Sequence, residues 1–170
     1  MIVFFINLAS TWFMVGLIWL IQIVHYPLFS NVGSEAFKTF HGIHKILISP
    51  VVGIVMIFEI VTTLILLFQT PKGIPYWSVI VSLILISAIW GSTLLLQVPF
   101  HEKLTLGFDK RIHDLLVNTN WIRTVCWSIR GFLGRHTPDV KDMWGAAPMM
   151  PLSIISQQER LKRAFPEDDK

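Results

Sequence analysis

Residues 97–130, QVPFHEKLTLGFDKRIHDLLVNTNWIRTVCWSIR, decide how this chain is built. Here His101, His113, Asn120, Arg123 and Arg130 are interleaved with apolar residues and with Trp121 and Trp127, in a chain that is otherwise overwhelmingly apolar. Residues 121–133 alone are too short to cross a bilayer core, which takes about 20 residues of helix. Extended back through LLVNTN, the segment becomes long enough. Asp109 then offers an N-cap and Gly134 a stop, so a span over about residues 115–134 is predicted.

Working outward, the composition agrees with a membrane setting. The chain has 170 residues, 53% of them hydrophobic and 15% charged, with a mean hydropathy of +0.60. That is too apolar for a soluble domain of this size. The first residues, MIVFFINLASTWFMVGLIWLIQIVHY, carry no basic n-region and no small-residue cleavage site, and read as a retained span over about 2–26 that ends near Pro27. Further spans are predicted over about 46–68 and 76–98, the last ending at Pro99. The fold class is therefore all-α: a polytopic, multi-pass protein of the cell membrane, with four transmembrane helices in a bundle spanning residues 1–134. A short interfacial helix between spans 1 and 2, capped by Ser34, is expected from Phe37, Phe40 and Ile43. Residues 135–170 read as a polar, peripheral, partly disordered tail with one amphipathic helix around SIISQQERLKRAF.

Polar residues inside the spans follow helical spacing. In the first span Asn7, Thr11, Met14, Ile18, Gln22 and His25 form one stripe, with Trp12 and Trp19 off it. In the third, Ser82, Ile86, Trp90, Thr93, Gln97 and His101 do the same. Glu59 sits near the middle of the second span, where an ionisable group is costly and marks function by default. Helical rise puts Glu59 about 20 Å and Arg130 about 22 Å from the same membrane face, so the two are expected to pair. Arg123, about 12 Å down, is expected to face a polar pocket.

Four spans place the loops 27–45 and 99–114 together, and with them His25, His41, His44, His101 and His113, leaving only His136 elsewhere. Imidazole is both a frequent metal ligand and a group that titrates near neutrality, so these five are candidate metal ligands. An amphipathic ring is equally at home at a membrane interface with no further role. His25, His101 and His113 are expected to converge. Lys38, Lys45, Lys103, Lys110 and Arg111 in the same loops lean toward the cytoplasmic side. The single cysteine, Cys126, excludes a disulfide framework or a cysteine cluster within one chain. No glycine-rich phosphate loop, nucleophile elbow or basic run points to nucleotides, hydrolysis or nucleic acid.

The segments QIVHYPLF, QVPFHEKLTLGFD and NTNWIRTVCWSIR resemble a widespread bacterial family of small four-helix membrane proteins with no assigned activity, over about residues 7–134. Through Asn120, Trp121 and Arg123 the chain is also distantly similar to anthrone-oxygenase-like membrane proteins. That second resemblance implies a cofactor-poor oxygenase of aromatic polyketides.

Three readings of function follow, one of them set against the other two. One is a membrane oxidoreductase or oxygenase with a pocket for an apolar small molecule drawn from the bilayer, in which His101, His113, Asn120, Arg123, Glu59 and Arg130 are the candidate catalytic residues. The other two are a haem- or metal-binding electron carrier, and a non-enzymatic binding or assembly protein whose polar groups hold the helices together.

Overall fold

The computed structural model describes residues 1–135, and all regular structure among them is helical. The readings beyond residue 135, including His136 and the amphipathic segment of the tail, lie outside the described residues.

Pro27 and Pro99 do not end their helices. A proline inside a helix lacks the N–H and pushes its ring against the carbonyl four residues back, which is Ile23 for Pro27 and Leu95 for Pro99. In both places the chain widens into a five-residue π-helical turn that stops two residues before the proline. The N–H of Tyr26 then reaches the Ile21 carbonyl, and that of Val98 reaches the Thr93 carbonyl, five residues back instead of four. Thus α1 (Ile2–Leu20) continues through the π turn Ile21–His25 into α2 (Tyr26–Leu28) and a 3₁₀ turn (Phe29–Asn31).

The second expected boundary also disappears. No break separates an interfacial helix from the second span: α3 (Ser34–Phe68) is one rod of 35 residues, roughly 50 Å by helical rise. Pro50 lies inside it, and Gly33 rather than Ser34 is the N-cap. A turn with Gly73 at φ 90° leads to α4 (Tyr76–Ser92), which runs through the π turn Thr93–Gln97 into α5 (Val98–Leu104). The stretches Ile2–Asn31, Ser34–Phe68 and Tyr76–Leu104 are each long and apolar enough to cross a membrane.

The fourth stretch, α6 (Lys110–Arg135), begins as its sequence requires, with the Asp109 carboxylate accepting the Ile112 N–H at 3.1 Å. Gly134 does not stop it. A Cβ on Gly134 would stand 2.5 Å from Leu8 Cδ1, and one on Gly131 would stand 3.2 Å from Val15 Cγ2, so these glycines let α6 lie close on α1. α1 packs on α3 and α6, and α4 packs on the same two helices. The buried core joins Met14, Ile18, Met56, Ile89 and Trp127 at mid-length, and Ile21, Tyr26, Phe29, Phe37, Leu104 and Leu116 toward one end. Trp12, Trp19, Phe58, Leu95, Ile122 and Phe132 face outward.

Candidate functional site

The π turns decide which side chains point inward at the histidine end. An extra residue per turn shifts the buried stripe of the first helix onto Tyr26, which is 3% exposed, while His25 is left half-buried. Tyr26 is the residue that sequence reasoning missed. The signal was there, since a phenol followed by a proline in an apolar run is unusual and the chain has only two tyrosines.

All five candidate histidines gather at this end. His25, His41, His44 and His113 surround the Phe29 ring with centroids 5.1–6.3 Å away, and His101 stacks on His41 at 5.2 Å. The trio His25, His101 and His113 does not form a unit, because the ring nitrogens have other partners. His25 Nε2 meets His44 Nδ1 at 3.0 Å, and His101 Nδ1 meets His41 Nε2 at 3.4 Å. His113 Nε2 bonds the Tyr26 carbonyl at 2.8 Å. Among the described residues, no three His, Cys, Asp or Glu side chains are placed to hold a metal ion.

Backbone carbonyls fix the tautomers. A carbonyl only accepts, so His113 carries its proton on Nε2, and so does His41, whose Nε2 also lies 3.1 Å from the His101 carbonyl. His41 therefore donates to His101 Nδ1, leaving neutral His101 with its proton on Nε2, where it donates to the Tyr26 hydroxyl at 3.1 Å. Tyr26 in turn donates to Gln97 Oε1 at 3.4 Å. The chain His41, His101, Tyr26, Gln97 thus runs in one direction.

A cavity of 220 Å³ opens beside this chain, lined among others by Tyr26, His44, Trp90, Thr93, His101 and Arg123. Its polar wall is rich in donors. Arg123 is 5% exposed, has no carboxylate partner among the described residues, and makes one hydrogen bond to them, to Thr93 Oγ1 at 3.5 Å. Its guanidinium lies 5.5 Å from the Trp127 ring. Burying a charge without a counter-charge costs several kcal/mol. A desolvated cation–π contact returns about 2 kcal/mol. Arg123 Nε and Trp90 Nε1 are both buried without a partner among the described residues, and an electron-rich oxygen is the kind of group that would satisfy such donors. Facing it, His44 has one ring nitrogen on His25 and no partner on the other.

The remaining site candidates lie elsewhere. Glu59 and Arg130 do pair, Oε1 to Nη1 at 2.5 Å, with Thr11 Oγ1 on Oε1 at 2.8 Å and Trp127 Nε1 on Oε2 at 2.8 Å. Arg130 Nη2 also donates to Thr63 Oγ1, and Asn7 Nδ2 to Thr62 Oγ1 and Thr63 Oγ1. Asn120 does not orient a ligand in the cavity; its Nδ2 donates to Gln22 Oε1 at 2.8 Å, tying α6 to the first π turn. Of the six sequence-predicted catalytic residues, His101 and Arg123 line the cavity, and Glu59, His113, Asn120 and Arg130 do not. No family model, curated protein or solved structure matches this chain.

Proposed function

We propose that the chain is a multi-pass protein of the cell membrane, with α6 as a fourth span, that binds an apolar small molecule by an electron-rich oxygen and transfers a proton to or from it. The reading of α6 rests on its surface: its outward side chains between residues 121 and 132 are Trp121, Ile122, Val125, Ile129 and Phe132, whereas Arg123 and Arg130 point inward. The functional reading rests on one observation, the buried guanidinium of Arg123 that lines a cavity without a counter-ion among the described residues.

In this reading His44 is the base. We take the His25–His44 hydrogen bond to run from His44 Nδ1–H to His25 Nε2, which leaves His44 Nε2 bare to accept a proton from a carbon or hydroxyl acid in the cavity. The electron pair moves onto the substrate oxygen, where Arg123 and the Trp90 N–H balance the charge. An oxygenase of the kind the resemblance implies fits the same steps. A methylene across the ring from a carbonyl loses its proton to His44, the carbanion adds dioxygen and takes the proton back as a hydroperoxide, and loss of water from that hydroperoxide leaves a second carbonyl.

The test is binding of dodecanoate against dodecanol to the purified protein in neutral detergent, together with dioxygen uptake on adding anthrone. The anion is expected to bind at least tenfold tighter than the alcohol, and Arg123→Gln should erase that preference. Equal affinity for the two in the parent protein overturns the reading. Dioxygen uptake that disappears in His44→Phe supports the oxygenase form, and anthrone binding without uptake confines the site to binding.

A further inference from the structure

We infer that the apolar groove between α1 and the first half of α3 holds the body of the same ligand, so that the molecule enters sideways from the bilayer and passes the His25–His44 pair to reach Arg123. This rests on the proposed function above. It is carried by three features of the groove.

The first is size. At 220 Å³ the inner cavity falls below the range of about 300–1,000 Å³ usual for a small-molecule site, so it fits a head group and little more. The groove beside it adds 390 Å³. The second is continuity. Ile21, His44 and Ile48 line both spaces, so one thin wall of side chains separates them, and the imidazole assigned as the base stands in that wall. The third is chemistry. Apart from His25 and His44 the groove is lined by Leu, Ile and Phe side chains, among them Leu20, Ile43 and Leu47, which are 55%, 53% and 65% exposed on helices apolar enough to cross a membrane. Such a surface offers nothing to a polar ligand and suits an alkyl or ring body.

A second opening competes with it. Lys45, Glu102, Ile46 and Val98 line a 320 Å³ space that also touches His101 and Ser49, and the Lys45–Glu102 ion pair at 2.9 Å stands at its rim. A half-buried Lys45 and an exposed Glu102 held across that opening suit an aqueous or headgroup boundary, not the path of an apolar body. The His25–His44 contact is a single hydrogen bond between two rings that carries no fixed charge into the path. Rotation of the His44 ring would join groove and cavity without moving a helix.

The experiment uses dodecanoate bearing a diazirine at its terminal carbon, photolysed with the full-length protein in neutral detergent and mapped by peptide mass spectrometry. Label is expected within residues 17–20 and 40–48, displaced by excess dodecanoate and at least tenfold weaker in Arg123→Gln. Label that depends on Arg123 but falls on Val98 and Glu102 overturns the groove while the cavity reading stands. Groove label that is unchanged in Arg123→Gln marks ordinary lipid contact and overturns the inference. A second variant, Ile43→Trp, alters only an exposed groove residue. It should weaken dodecanoate at least tenfold and leave hexanoate unchanged, and equal loss for both acids, or none for either, counts against the groove.

Discussion

Glu59 and Arg130 stand 71 residues apart in the chain and form an ion pair in which neither side chain is more than 1% exposed. Glu59 takes two further donors, from Thr11 and Trp127, so three helical stretches meet on one carboxylate. Neither member lines the cavity, and the pair fixes how α1, α3 and α6 sit together. Removing one member strands the other, a loss of about 3–5 kcal/mol. Glu59→Gln and Arg130→Gln should each lower thermal stability in detergent by an amount of that order. The double variant should cost clearly less than the sum, and strict additivity would show that the two groups do not act as a pair.

Trp127 serves both networks, through its N–H on Glu59 Oε2 and its ring beside the Arg123 guanidinium. Trp127→Phe keeps a ring and removes the N–H. It should cost about 1.5–3 kcal/mol of stability, the range for a hydrogen bond to a charged group, with less than a threefold change in dodecanoate affinity. A large loss of affinity at unchanged stability would reverse this division of roles between the indole N–H and the ring.

The hydrogen-bond directions fix three tautomers, since the carbonyls of Tyr26 and His101 require protons on Nε2 of His113 and His41, and His41 then requires one on Nε2 of His101. Nitrogen-15 spectra of histidine-labelled protein near neutral pH should show these three rings as Nε2–H forms. Tyr26→Phe should remove the acceptor for His101, shift the His101 resonances and cost about 1 kcal/mol, leaving those of His113 in place. A His101 spectrum of the Nδ1–H form would contradict the relay direction.

Gly131 meets Val15, whose β-branched side chain is stiff, and Gly134 meets only the end of Leu8, which is free to rotate away. Gly134→Ala should therefore be close to neutral, the clash being offset by about 1 kcal/mol of helix propensity. Gly131→Leu should act as a wedge between α1 and α6 and cost about 1–3 kcal/mol. Thermal unfolding of the two variants side by side decides it, and equal losses would place the close contact elsewhere.

Much of the architecture was written in composition and spacing. The helices, the inward stripe through Thr11, Met14, Ile18 and Gln22, the outward tryptophans, the Asp109 cap and the matched depths of Glu59 and Arg130 all follow from local rules: helical period, the length of a bilayer core and the cost of an unpaired charge. What the sequence alone left open was decided by contacts between segments far apart in the chain. Pro27 and Pro99 read locally as stops, yet the packing of neighbouring helices carries the chain past both and takes up the strain as π turns. That one-residue shift turned Tyr26 inward, and His25, His101 and His113 found separate partners instead of one another. Helical rise already separated Arg130, at the level of Glu59, from Arg123, seven residues earlier on the same helix. Only the tertiary arrangement decided which side chains stand around each, because a charge is neutralised by what stands across from it and not by its neighbours along the chain.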